Sequence, residues 1–382
     1  MNDFNDTYPC GRPRPGSQRA GRYKSGRILP SPVKPAMSVA DLIDGHFLAY
    51  NSARLREAAE LLVEKVMQPN VVVGLTLAGA LTPSGMGAGL FVPLLEAGYI
   101  DWIVSTGANL YHDLHYALDL PLHRSSPFHD DKVLREHRLI RIYDLVFDES
   151  VLFDTDRFVR ELVTGPDFQH RMGTAEFHHL IGKHVAEIER LRGGPGRSVL
   201  AAAYRMGVPI YCSAPGDGSI MLNVARAALE GNKLEIDILR DINETAALVY
   251  GSKTAGQKTA VVILGGGTPK NFMLQTQPHI QEVLGLEERG HDYFIQITDA
   301  RPDTGGLSGA TPGEAVTWGK VDAEQLSNSA IVYTDATIAW PLLSAYVMER
   351  SPARDAKRLY ERREQFLDGL MQALDTKRAV SR

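Results

Sequence analysis

Val261 to Lys270 reads V-V-I-L-G-G-G-T-P-K. Four large apolar residues without polar alternation suit a strand buried on both faces. Gly265, Gly266 and Gly267 then turn the chain, and Pro269 suits the first turn of a helix. Glycines at such a turn let the backbone approach a phosphate, which the helix N-terminus favours electrostatically. The spacing differs from the G-x-G-x-x-G of dinucleotide sites, so alone it is a weak signal, as are Gly85, Gly87 and Gly89.

The pattern repeats on either side. Short apolar runs at Val71–Leu77, Trp102–Ser105, Pro209–Cys212, Tyr293–Thr298 and Ala330–Thr334 alternate with helical periodicity, such as Leu55, Ala58, Ala59, Leu62 and Val66. Strands alternating with helices predict a Rossmann-like α/β fold with a doubly wound, largely parallel sheet. Residues 39–382 read as one domain. Residues 1–38, rich in Pro, Gly, Arg and Ser, read as a flexible or strapped N-terminal arm, because they bury too little apolar surface to offset ordering. Asp154 to Arg192 reads as a peripheral helical insertion whose His170, His178, His179 and His184 are solvated.

Ligands of such sheets collect beyond the carboxyl ends of the strands. The Gly-rich or polar turns at Ala78–Gly89, Ser105–Asp113, Ser213–Ser219, Gly265–Lys270, Thr298–Lys320 and Thr334–Thr337 all fall there, which predicts a composite site. In one of them, Gly309–Lys320 reads G-A-T-P-G-E-A-V-T-W-G-K, too rich in Gly and Pro for a helix interior. Glu314 and Trp318 offer a carboxylate and an aromatic face to an amine. Lys320, if desolvated, can lose its proton and become a Schiff-base nucleophile. An exposed loop with a snorkelling lysine is the plainer reading of the same residues. His112, Asp113 and His115 lack a separated third ligand, so no metal site is expected.

The 382 residues are 44% hydrophobic and 23% charged, ordinary for a globular protein, and the net charge of −5 offers no footprint for nucleic acid. No apolar run reaches the roughly 18 residues of a membrane span, and no signal core opens the chain. Two cysteines, Cys10 and Cys212, make no disulfide framework. A cytoplasmic location is expected.

Taken together, E-A-V-T-W-G-K at Glu314–Lys320, L-G-G-G-T-P-K at Leu264–Lys270, D-G-S at Asp217–Ser219, S-T-G at Ser105–Gly107 and Y-T-D-A-T-I-A-W-P-L-L at Tyr333–Leu343 resemble the deoxyhypusine synthases. The resemblance runs from about residue 40 to about residue 350. It implies an NAD-dependent transferase that moves an aminobutyl-type group from a polyamine to an acceptor amine through a lysine imine. It implies Lys320 as nucleophile, with Glu314, Trp318 and Asn271 at the substrate. It also implies an NAD site at Ser105, Thr106, Gly107, His112, Asp217, the three glycines, Thr304, Ser308 and Asp335. A homotetramer is implied, with either a small amine or a protein lysine as acceptor.

Besides His112, where the family usually has an acid, three positions depart from the family pattern. Leu222 and Leu307 stand where the family has acids, and Asn271 where it has a histidine. A lost charged hydrogen-bond partner costs about 1.5–3 kcal/mol, so an altered amine substrate is expected. Two other readings remain at this level: an amine oxidoreductase without a covalent lysine, and a non-catalytic NAD-binding assembly protein.

Overall fold

The computed structural model describes residues 27–194 and 196–380. Residues 1–26 of the expected arm, with Cys10, lie outside the described residues. Six strands form one sheet: β1 (Val71–Leu77), β2 (Trp102–Ser105), β3 (Ile210–Cys212), β4 (Lys258–Leu264), β5 (Tyr293–Thr298) and β6 (Ser329–Tyr333). Their order is β3-β2-β1-β4-β5-β6, and every pairing is parallel. This is the doubly wound order, whose direction of winding reverses between β1 and β4.

Side chains on successive strand residues point to opposite faces, and both faces are covered. Val71, Val73, Leu75 and Leu77 of β1 join one core with the helices Val39–His46, Tyr50–Leu61 and Ala336–Arg350. Val72 joins the other, with Val261 and Ile263 of β4 and the helices Ile238–Thr254 and Arg363–Val380. Burial on both sides is why the strands read as unbroken apolar runs. Gly74 interrupts β1 because a Cβ there would lie 2.7 Å from the Trp102 indole.

The strands also end level. Leu77 pairs with both Ser105 and Leu264, Ser105 with Cys212, and Thr298 with Tyr333. Six turns therefore leave one edge of the sheet together.

The β2–β3 connection corrects one expectation. Within it, Thr174–Arg192 is a helix that buries Ala175, Phe177, Ile181 and Val185. The His178 ring nitrogen Nδ1 donates to Ile210 O at 2.8 Å, and burial pushes that imidazole down to about 4. The His179 ring stacks on Tyr360 with centroids 3.4 Å apart. These two histidines are packing residues, His184 is half-buried beside Phe168, and His170, paired with Glu176, keeps a surface position. A small antiparallel sheet of His123–Arg124, Leu139–Ile142 and Leu145–Asp148 completes the connection.

Candidate active site

Lys320 owes its position to a helix ending. Pro312–Thr317 is a short helix, correcting the view of this segment as open loop. Thr311 caps it by accepting the Glu314 amide, and Pro312 takes the first turn, where its missing N–H is no loss. Gly319 then adopts φ +65°, the left-handed conformation that suits glycine. Its N–H donates to Val316 O and that of Lys320 to Ala315 O, at 3.0 and 2.9 Å. This paired closure is a Schellman ending, with Lys320 as the first side chain beyond it. A second element locks the turn: Gln281 Nε2 donates to Gly319 O at 2.9 Å.

A cavity of about 280 Å³ opens beside Lys320, lined also by Asn271, Leu307, Glu314, Trp318 and Lys270. Lys320 Nζ stands 3.3 Å from Asn271 Oδ1 and 5.6 Å from the centre of the Trp318 ring. Burial lowers the pKa of the Lys320 amine, while the charges of Glu314 and Glu282 oppose that shift. Trp318 is 58% exposed, so within one copy the indole forms a wall of the cavity and does not shield it from water.

Lys270, quoted above only as the end of a motif, organises the floor. Its buried ammonium donates to Gln296 Oε1 at 2.9 Å and to Ala310 O at 2.6 Å. Burial first, then the neighbouring Lys320 charge, pushes it down to about 8, with Glu314 opposing. Pulled in by these bonds, the 308–310 loop lies on the glycine turn. Gly267 N–H donates to Ser308 Oγ at 2.8 Å, and a Cβ on Gly266 would fall 2.5 Å from Ser308 Cα. Two of the three glycines thus answer to Ser308. Gln296, inside β5, was missed because a lone glutamine in an apolar run carries no signal of what it binds.

The other residues named from sequence form a second group. A Cβ on Gly107 would lie 3.0 Å from Gly218 Cα, so the turns after β2 and β3 touch. This brings the S-T-G and D-G-S segments together, with exposed Asp217 and Leu222 beside them. Ser105 is fully buried, and Thr106 Oγ1 donates to Gly79 O at 2.6 Å while capping the Gly107–Ala117 helix. His112 on that helix is pushed down to about 4 by burial, and its ring stands 5.0 Å from that of His115. Asp113 accepts Ser198 Oγ and the amides of Val199 and Leu200, which accounts for it as a cap.

Thr304 precedes the 308–310 loop, and Asp335 follows β6. Thr304 Oγ1 donates to Arg301 O, and exposed Asp335 caps the Ala336–Arg350 helix through Thr337 N at 2.7 Å. Asp217 and Asp335 follow strands at opposite edges of the sheet. Five strand spacings separate β3 from β6, about 24 Å at the usual interval.

A family model, deoxyhypusine synthase, matches residues 44–347. The chain belongs to the deoxyhypusine synthase family. It is 58% identical to a "Deoxyhypusine synthase-like protein" of Cyanothece sp., over 91% of this chain and 88% of that protein. It is 36% identical to "Probable deoxyhypusine synthase 2" of Methanosarcina acetivorans, over 88% and 93% of the two chains. The fold is shared with a crystal structure described as a "putative deoxyhypusine synthase" from Entamoeba histolytica, at a TM-score of 0.56 and 13% identity, covering 86% of this chain and all of that one. Membership implies an enzyme of the transferase class. Among the described residues, no helix is long and apolar enough to cross a membrane.

Proposed function

We propose that this chain is an NAD-dependent aminoalkyl transferase that works through an imine on Lys320. The observation that carries this reading is the Lys320 amine, held at a helix ending in a cavity, with burial lowering its pKa and a carboxylate and an indole beside it. Imine formation needs a neutral amine, and desolvation favours that form. Glu314 and Trp318 would hold the cationic chain of the donor, through charge and through the ring face.

The crevice between β1 and β4 fits a dinucleotide. A Cβ on Gly79 would meet nothing within 4 Å, and Gly265 at φ +78° brings the β4 turn close to Ala78. The N-termini of the Gly107–Ala117 and Gly267–Leu274 helices open toward the same sheet edge, which favours a pyrophosphate. When bound, NAD would supply the hydride acceptor for the amine carbon and, once reduced, the hydride donor for the product imine. Asp217 and Asp335 would serve its riboses. Their separation across the sheet supports a site completed by the β2–β3 end of a second copy, hence an oligomer, with the homotetramer as the assembly proposed.

Leu222 and Leu307, 65% and 51% exposed, replace acids in the two groups. A donor with fewer or differently spaced charges than spermidine is therefore proposed, such as a short diamine or a guanidino-amine. The test is a screen of diamines and polyamines for NAD reduction at equilibrium, with products read by mass spectrometry. The reading predicts NADH and an aminoalkylated product with a small amine. An absence of NAD reduction across the whole series would overturn it.

A further inference from the structure

Lys320 lines the first cavity, which the donor accounts for, and its partner Asn271 also lines a neighbouring one. The second, of about 540 Å³, shares Asn271, Leu307 and Gln275 with the first. Its other walls are largely apolar, from Ile238, Ile242, Phe272 and Val283. Its charged group is Glu282, which makes no ion pair or side-chain hydrogen bond among the described residues. His279 beside it is lowered in pKa by burial and contacts Asn243 Oδ1, so it brings no positive charge at neutral pH.

Glu282 is held in a defined relation to the lysine. It belongs to the π-helical turn His279–Val283, a local geometry often found at functional sites. Its neighbour Gln281 bonds Gly319 O in the turn that carries Lys320. The Glu282 charge is felt at the Lys320 amine, where it favours the protonated form. Two carboxylates thus act on the Lys320 amine, Glu314 lining the first cavity and Glu282 the second.

We infer that the second cavity is the acceptor subsite and that Glu282 selects a small diamine by holding its far ammonium group. This rests on the transferase reading above. Glu282 would anchor the charged end while the neutral end reaches Lys320. There the acceptor nitrogen bonds the carbon of the protonated imine, the bond from that carbon to Lys320 Nζ breaks, and one proton passes from the acceptor nitrogen to the lysine nitrogen. The lysine leaves as a neutral amine, and the alkyl group continues as a protonated imine of the acceptor. The apolar walls suit the methylene chain of a diamine.

Two measurements on the full-length protein test this, with putrescine as the acceptor probe. In the first, the donor amine alone is mixed with enzyme and NAD, and single-turnover NADH formation is followed for wild type and Glu282→Gln. In the second, steady-state transfer to putrescine is measured in both proteins. The expected result is an acceptor KM raised about fivefold to tenfold, a modest effect because the carboxylate is exposed, with NADH formation from the donor alone changed by much less, through the lost charge near Lys320. Glu282→Asp should recover part of the loss. If Glu282→Gln slows NADH formation and transfer alike, Glu282 serves the donor and the inference fails. If NADH forms normally and the acceptor KM does not move, the inference also fails while the transferase reading stands. If wild type forms no NADH from any amine, the transferase reading itself is wrong.

Discussion

At the scale of single residues, Lys320 is balanced between burial, which favours the neutral amine, and the carboxylates Glu314 and Glu282, which favour the ammonium. Removing one carboxylate must therefore lower its pKa further. Glu314→Gln should shift the pH dependence of Lys320 labelling by an acylating reagent to lower pH, read by peptide mass spectrometry; a shift to higher pH would contradict this balance. Lys270 yields a second pH prediction. Its folded pKa of about 8 lies below the ordinary lysine value of 10.5, so between those values the unfolded chain binds more protons. Stability should rise with pH across that window, and Lys270→Met should flatten the rise in denaturant titrations. That Lys320, Glu314 and Trp318 share one cavity was legible in sequence, because their types and spacing are unusual together. Lys270 and Glu282 were not, since a lysine becomes a buried tether, and a glutamate a cavity wall, only through partners distant in the chain.

At the scale of elements, strands were legible to within a residue or two because burial on both faces leaves long apolar runs. Turns were read less well. Asp335, expected to hold cofactor, also caps a helix through Thr337. Asp335→Ala should cost about 1 kcal/mol through the lost cap, whereas Asp335→Asn keeps a capping oxygen. Thermal melts with and without NAD separate the two roles: the asparagine variant should melt like wild type alone, yet gain less from NAD. An equal NAD shift in both would remove Asp335 from the cofactor site. Gly266→Ala should press on Ser308 and cost about 1–3 kcal/mol by overpacking, measured by denaturant unfolding. The helix Thr174–Arg192 was misplaced because its histidines read as polar, while in the fold His178 meets Ile210 O and His179 meets Tyr360. Such partners are not encoded in local pattern.

At the scale of the whole molecule, level strand ends gather every turn on one edge, and the sheet's width then divides them. Lys320, Asn271, Leu307 and Ser308 lie with the β4–β6 turns; Asp217, Leu222 and His112 lie with those of β2 and β3. The linear order of motifs gave no hint of this division, because it depends on strand order, which reverses at β1 and β4. Leu222 and Leu307 are both exposed, so Leu222→Asp with Leu307→Asp should leave stability within about 0.5 kcal/mol of wild type. The same pair should move the ratio of kcat/KM toward spermidine over the best diamine, by about 1–3 kcal/mol. The central claim, however, is covalent. Borohydride added during turnover with a competent diamine and NAD should leave a stable alkyl mass on Lys320, absent when either amine or NAD is omitted and absent in Lys320→Arg. NADH formation without any mass on Lys320, or full transfer activity in Lys320→Arg, would contradict it.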